Sequence, residues 1–347
     1  MNKEIASTLS DSSLVDLFSR SISYLRLSIT DRCNLRCIYC VADGGGEGAP
    51  AKLRHVDMLT YEELLRVVRV AAGLGISKIR LTGGEPLLRR NMVQFVQEMA
   101  KIDNLDDIRL TTNGVLLGKY AGELFASGVT KVNVSLDTLK ADRYQQITGI
   151  DCFDVVWQGI EKALSTGFQP VKINVVAMRG VNDDEVADFV RLTRIMPVQV
   201  RFIEFMPVGI STSWNRHTFI SSDEIKKQLE QIGQLLPLHP KRTDGPAQVY
   251  RMGEDAVGTL GLISPVTHHF CDRCNRLRLT SAGTLRSCLL HDKEFDLAQV
   301  IRQGGSDEDI IRAFVQATIN KPQGHQMKER LEASGYNCHG VMSRIGG

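Results

Sequence analysis

The chain has 347 residues, of which 43% are hydrophobic and 24% charged, and its formal net charge is +2. This is the composition of a globular protein with a sizeable core, not of a disordered or collagen-like chain. There is no block of five like charges and no apolar run near the ~18–20 residues of a membrane span, so neither a nucleic-acid nor a membrane surface is expected. The opening stretch, MNKEIASTLSDSSLVDLFSR, has no apolar h-region and no cleavage-site pattern, which argues against secretion. Eight cysteines in such a chain read as metal or cluster ligands rather than disulfides, and the expected setting is a reducing cytoplasm.

From residue 23 onward, apolar β-like runs alternate with helix-like segments. The pattern predicts strands over Tyr24–Ile29, Lys78–Thr82, Asp107–Thr111, Lys131–Leu136, Val171–Ala177 and Val200–Phe205. Helical periodicity covers Tyr61–Gly73, Asn91–Lys101, Leu116–Ser127, Phe153–Thr166 and Asp183–Met196. Such βα repeats predict an α/β fold with a parallel sheet and helices packed outside it. Right-handed crossovers curl that sheet into a barrel or part of one. Six units rather than eight point to an incomplete (β/α)6 barrel of TIM type, with a doubly wound open sheet as the alternative that periodicity leaves open. From about residue 208 the character changes. A loop and helix are followed by a turn-rich connector at Asp244-Gly245-Pro246. Short strand-like runs then cover Gly258–Ile263, Arg276–Thr280 and Thr284–Cys288, with a hairpin turn at Ser281-Ala282-Gly283. The expected division is a partial barrel with an N-terminal extension over 1–207. A smaller α+β module over 208–347 would pack across its open side.

The stretch DRCNLRCIYC places Cys33, Cys37 and Cys40 in the pattern C-x3-C-x2-C. A cubane iron–sulfur cluster normally takes four thiolates, so three leave one iron open for a small molecule. Tyr39 can lay an aromatic face beside whatever binds there. A structural zinc site fits less well, because such sites use paired spacings and close all four positions. Other unusual fragments fall at the carboxyl ends of the predicted strands: Gly83-Gly84-Glu85-Pro86, Thr111-Thr112-Asn113-Gly114, Ser135-Leu136-Asp137 and Glu204-Phe205-Met206-Pro207. Parallel α/β folds build their active sites on that edge. The two glycines allow backbone to approach a ligand closely.

A second set, Cys271, Cys274 and Cys288, has the pattern C-x2-C-x13-C. Alone it reads as a Cys3His zinc site completed by His268, His269 or His291; beside a first iron–sulfur site, a second cluster is the stronger reading. Cys152 and Cys338 stand apart and read as buried or free thiols. Arg276 and Arg278 share one face of a strand, and their guanidinium forks suit a phosphate chain. Arg26, Arg80 and Lys172 are further basic candidates. No Walker-type phosphate loop is present.

C-x3-C-x2-C with an aromatic before the third Cys resembles the signature of the radical S-adenosylmethionine (SAM) enzymes. The resemblance implies a 4Fe-4S cluster on Cys33, Cys37 and Cys40 whose open iron chelates SAM, with cleavage to methionine and a 5′-deoxyadenosyl radical. It implies SAM contacts at Tyr39, Gly84, Glu85, Ser135 and the backbone of Met206. Wider motifs, namely IRLTGGEPLLRR, VNVSLDTL, RFIEFMPVG, TDGPAQVY, FCDRCNRLRLTSAGTLRSCL and the terminal Gly346-Gly347, resemble the GTP 3′,8-cyclase family of molybdenum cofactor (molybdopterin) biosynthesis. That resemblance covers nearly the whole chain. It implies a second 4Fe-4S cluster on Cys271, Cys274 and Cys288 that holds the guanine of GTP. All six cysteines would then be catalytic. GTP contacts would fall at Arg26, Arg80, Thr111, Lys172, Arg276, Leu277 and Arg278. The implied reaction removes the ribose C3′ hydrogen, lets C3′ attack guanine C8, and gives 3′,8-cyclo-7,8-dihydro-GTP. The implied partners are a flavodoxin- or ferredoxin-like electron donor and a downstream cyclic pyranopterin monophosphate synthase. The assembly state stays open, with a homodimer among the options. The Gly-Gly tail is expected to reach the active site.

Overall fold

The computed structural model describes residues 9–10, 13–40, 51–208, 214–239, 245–325, 327, 338 and 342–346. Three short N-terminal strands, β1 (Leu9–Ser10), β2 (Ser13–Val15) and β3 (Ser21–Ile22), form a small antiparallel sheet. The repeating βα part supplies β4 (Tyr24–Ser28), β5 (Lys78–Thr82), β6 (Asp107–Thr112), β7 (Lys131–Ser135), β8 (Val171–Ala177) and β9 (Val198–Glu204). They lie side by side in sequence order and all pair in parallel. A doubly wound sheet would reverse its order partway, so the sequential order decides for the barrel-type arrangement.

Alternation along each strand sets the two faces. Leu25 and Leu27, Ile79 and Leu81, Ile108 and Leu110, Val132 and Val134, and Ile173 and Val175 are buried in one continuous core. The helices that contribute Leu64, Val67, Val68, Phe95, Leu124, Val156, Ile160 and Phe189 pack into that same core. Local signals start several helices: Thr60 and Glu63 form a capping box at the helix Tyr61–Gly73, and Ser221 and Glu224 do so at Ser222–Ile232. The helix Ala141–Thr148 was not legible in the pattern, because it is short and polar and buries only Tyr144, Ile147 and Thr148.

The C-terminal strands differ from expectation. They are β10 (Leu235–Leu238), β11 (Gln248–Met252), β12 (Thr259–Ile263), β13 (Arg276–Leu279), β14 (Thr284–Arg286) and β15 (Glu294–Asp296). They do not form a separate sheet. Instead β12 pairs in parallel with β9, and β13 pairs in parallel with β4. The result is one twelve-stranded sheet, ordered β10-β11-β12-β9-β8-β7-β6-β5-β4-β13-β14-β15, with antiparallel strands only at its two ends. The edge strands β10 and β15 do not pair with each other, so the sheet stays open. Residues of β4 through β9, β12 and β13 nevertheless line one cavity of ≈ 740 Å³, so the sheet curls around it. Local pattern could not reveal this, because β13 meets a strand roughly 250 positions earlier in the chain. No helix of the described residues is long and apolar enough to cross a membrane.

Candidate active site

The loop after β4 carries Cys33, Cys37 and Cys40. It is pinned to the short helix Ala141–Thr148: the Arg36 and Ile38 amides donate to the carbonyls of Thr148 and Ile147 at 2.8 and 3.0 Å. A turn closes the loop where the Cys40 amide donates to the Cys37 carbonyl at 2.9 Å. Burial pushes the Cys37 thiol well above its ordinary value and Cys40 up to about 12. Neighbouring thiols and the carboxyl of Asp137 act in the same direction. Burial also raises Cys33, although its sulfur accepts from the Leu35 amide at 3.4 Å and from the Asn113 side chain at 3.7 Å. Three mutually interacting soft donors, with N–H groups aimed at one sulfur, fit an iron–sulfur cluster, whose positive irons would hold them as thiolates.

Gly83 and Gly84 follow β5. A Cβ on Gly83 would lie 2.4 Å from the Thr30 carbonyl oxygen, and one on Gly84 would lie 2.3 Å from that of Arg32. Gly83 also has a positive φ of 152°. The immediate need for two glycines is therefore close packing against the cysteine loop, which the Gly84 and Glu85 amides clamp by donating to the carbonyls of Thr30 and Arg32 at 2.8 and 2.7 Å. The Glu85 carboxylate is fully buried and accepts from Leu87 N, Asn113 N and Thr112 Oγ1 at 3.0, 2.7 and 2.8 Å. Its side chain ties the β5 loop to the β6 loop, and burial raises it to about 7. Tyr39 donates to Asp137 at 2.7 Å and meets Phe205 edge-on at 6.4 Å. Asp137, raised by burial to about 6, also accepts from the Val176 amide at 2.7 Å. Ser135 ends β7, half-buried, in register with Asn174. Met206 lines the cavity and packs against the small cluster of Val208, Leu290, Met327 and Ile345.

Cys271, Cys274 and Cys288 line the cavity wall. Burial raises Cys271, whose sulfur accepts from the His325 amide. Burial acts upward on Cys274 too, but Arg276 and Lys321 outweigh it and bring that thiol down to about 7. Of the three histidines read from sequence, His268 is held by Asp223 at 2.8 Å and the ring of His291 accepts from the Lys293 amide. His269 does sit beside Cys271, together with His325. Both ring nitrogens of His325 are engaged, with Pro265 O at 2.7 Å and Met327 N at 3.0 Å. Three sulfurs on one wall, two of them accepting N–H bonds, fit a second cluster, and His269 keeps a nitrogen donor within reach of Cys271.

Much of the polar lining of the cavity is cationic. Arg26, Arg80, Lys172, Arg276 and Arg278 all line it, as the sequence suggested. Register explains the row: Arg278, Arg26, Arg80 and Arg109 stand beside one another on β13, β4, β5 and β6. Leu277 alternates to the opposite face and is buried in the core, so its side chain does not reach the cavity. Thr111 lies beside Arg80, whose Nη1 donates to its hydroxyl at 3.4 Å. Burial lowers Arg26 to about 10 and Arg201 to about 9, with Arg80 adding repulsion to both. The tail enters this region: Arg278 donates to the Gly346 carbonyl, and a Cβ on Gly346 would lie 2.4 Å from Thr82 Cγ2. Gly347 lies outside the described residues.

Sequence reading missed Tyr24, Lys78, Arg109, Arg201 and Asn174, all of which line the cavity. The signal existed as i, i+2 alternation: Lys78 precedes Arg80 on one face, and Arg109 is in register with Arg80. Arg20 and Lys321 were missed for another reason, since they contact the second cysteine set from outside the sheet.

Residues 27–193 match the Radical SAM superfamily, and residues 198–327 match the family described as Molybdenum Cofactor Synthesis C. A GTP 3′,8-cyclase of Thermodesulfovibrio yellowstonii is 50% identical over 89% of this chain and 94% of its own. One of Moorella thermoacetica is 47% identical over 96% of this chain and 99% of its own. Among solved structures, Streptococcus suis SuiB matches with a TM-score of 0.61 at 14% identity, over 90% of this chain and 69% of its own. Its S-adenosylmethionine-bound form gives 0.57 at 17%, over 81% and 65%. These structural likenesses speak to the fold.

Proposed function

The chain belongs to the GTP 3′,8-cyclase family of radical SAM enzymes and acts in molybdenum cofactor synthesis; from that premise we propose that its cavity holds GTP between two iron–sulfur sites and that the product is 3′,8-cyclo-7,8-dihydro-GTP. Cys33, Cys37 and Cys40 would hold the SAM cluster, and Cys271, Cys274 and Cys288 a second one. SAM bound at the first site would supply, on one-electron reduction, a carbon radical able to take the ribose C3′ hydrogen. The chain's own residues then do three things. Tyr39, Ser135 and the Gly84-Glu85 turn frame the SAM side. Arg26, Arg80, Lys172, Arg276 and Arg278 neutralise the triphosphate, which carries about four negative charges. The curled sheet keeps water from the reacting sugar and fixes its distance to the radical source. A flavodoxin- or ferredoxin-like electron donor and a cyclic pyranopterin monophosphate synthase would act before and after, in the cytoplasm.

The observation that carries this reading is a cavity in which a row of in-register arginines lies with the second cysteine set. The test is anaerobic reconstitution followed by incubation with SAM, reductant and GTP. Two cubanes predict about eight irons per chain, 5′-deoxyadenosine, and cyclised GTP. Four irons plus one zinc would overturn the second cluster and favour a Cys3His site through His269. Iron-replete protein that cleaves SAM but leaves GTP unchanged would overturn the substrate.

A further inference from the structure

Cys274 and Cys288 are separated by thirteen residues and lie on different segments, before β13 and after β14. One buried side chain ties these segments together. Lys321 sits at 3% exposure behind the cavity wall. Its ammonium donates to the carbonyl of Arg276 at 2.7 Å and to that of Ser287 at 2.8 Å, and a third bond goes to the sulfur of Cys274. Arg276 lies two residues after Cys274, and Ser287 immediately precedes Cys288. All three N–H donors of the ammonium are thus spent on the two ligand-bearing segments. Arg20 adds a brace from the N-terminal hairpin. It is fixed by Asp16 at 2.6 Å, and it donates to the carbonyls of Cys271, of Pro322 at 2.7 Å and of Gln323 at 3.1 Å. It therefore links the remaining ligand to the segment that carries Lys321.

A buried ammonium is costly without a counter-charge. Among the described residues no carboxylate forms an ion pair with Lys321, and the groups beside it able to carry a negative charge are the thiols of Cys274 and Cys288. That arrangement suits permanently ionised, metal-held thiolates. We propose that Lys321 is the positioning residue of the second cysteine set: it holds Cys274 and Cys288 at the separation one iron–sulfur cluster needs and directs an N–H at a ligand sulfur. This rests on the second-cluster reading. Outer groups that bond metal ligands typically change metal affinity 10–100-fold, and hydrogen bonds to sulfur shift a cluster's potential.

The test uses reconstituted full-length protein and its Lys321→Met and Lys321→Gln variants. Chelator-driven iron release and the midpoint potential of each cluster are read side by side by electron paramagnetic resonance. Lys321→Met should release iron from the second site about 10–100-fold faster and move that site's potential more negative, with the first site unchanged. Lys321→Gln, which keeps two donors but no charge, should fall between. Wild-type release rates and potentials in Lys321→Met would overturn the proposal, as would equal loss from both sites in folded protein. If circular dichroism shows Lys321→Met unfolded, Lys321→Gln is judged by the same criteria. If the wild-type protein carries zinc at the second set, the second-cluster reading fails by itself. Zinc release from the variants then decides the role of Lys321: faster release upholds it, and unchanged release overturns it.

Discussion

Around Cys33, Cys37 and Cys40 the buried charged-type neighbours are the carboxyls of Glu85 and Asp137, whereas around Cys271, Cys274 and Cys288 they are the buried cations Arg20 and Lys321, joined by the half-buried Arg276. Both sets offer three thiols, and burial works against ionisation in both. In the second set cations overcome burial at Cys274; in the first the acids add to it. The contrast suits different guests. SAM carries a sulfonium, an ammonium and a carboxylate, a net charge of about +1, and carboxyls beside its site favour that positive charge to the extent that they ionise. A nucleoside triphosphate is a polyanion, and a cation-lined wall welcomes that. The two halves of the molecule thus differ in the kind of ionisable group placed beside their cysteines before any ligand arrives.

The sharpest way to break this comparison is to remove one sulfur from each set. Cys40→Ser should abolish both reductive SAM cleavage and GTP cyclisation. Cys288→Ser should leave SAM cleavage in place and lower cyclisation by at least ~100-fold, the order expected when a reacting group is misplaced by ~1 Å. Both products can be followed in one anaerobic assay. If Cys288→Ser also stops SAM cleavage, the sites are not separable and the comparison loses its meaning. If it cyclises GTP normally, the second set is only a structural staple.

A smaller effect separates cations that are committed from cations that serve the ligand. Arg109 is held by both oxygens of Asp107, while Arg201 is held by the neutral carbonyl of Asn174. Arg201→Met should therefore raise the KM for GTP by roughly 10–100-fold, equivalent to one charge-assisted contact of about 1.5–3 kcal/mol, and Arg109→Met should raise it much less. Equal losses would mean that the cavity acts through its total charge and not through individual contacts.

These residues also mark where sequence reading stops. The cysteine spacings, the Gly-Gly turn and the i, i+2 pair Arg276 and Arg278 are local patterns, and the structure brings Cys271, Cys274, Cys288, Arg276 and Arg278 to one cavity. Arg109 and Arg201 look like ordinary strand residues until register aligns them with their neighbours on β5 and β8. Glu85 shows the converse. Its motif is conspicuous in the sequence, yet its carboxylate is spent on Leu87 nearby and on Thr112 and Asn113, which lie 27 and 28 positions away. The joining of β12 and β13 to opposite sides of the βα sheet is a long-range pairing that no local periodicity encodes.

The smallest effect, and the most specific, concerns Tyr24, which stands where the cationic wall meets the strands of the barrel. Its hydroxyl accepts from Arg80 Nε at 2.7 Å, and Lys78 and Arg276 lie 5.5 and 6.0 Å from its ring centre. Burial alone would push the phenol up, but Arg80, Arg26 and Arg276 together bring it down to about 7. Below that pH the phenol is neutral and the cations face the cavity uncompensated. Above it, a phenolate neutralises part of their charge and competes with an incoming phosphate for Arg80. Binding of a polyanion should thus take up a proton at Tyr24, and affinity should fall as pH rises through 7, by no more than about tenfold per pH unit for one group. The terminal phosphate of GTP ionises in the same range with the opposite sign, so the informative quantity is the difference between wild type and Tyr24→Phe. The phenylalanine variant keeps the ring under Lys78 and Arg276 but cannot ionise. Its GTP Kd, measured by equilibrium titration from pH 6 to 9, should lack the alkaline weakening seen in the wild type, and the two curves should converge at acid pH. Parallel curves across the range would show that Tyr24 stays protonated between pH 6 and 9 and takes no part in the pH dependence of binding.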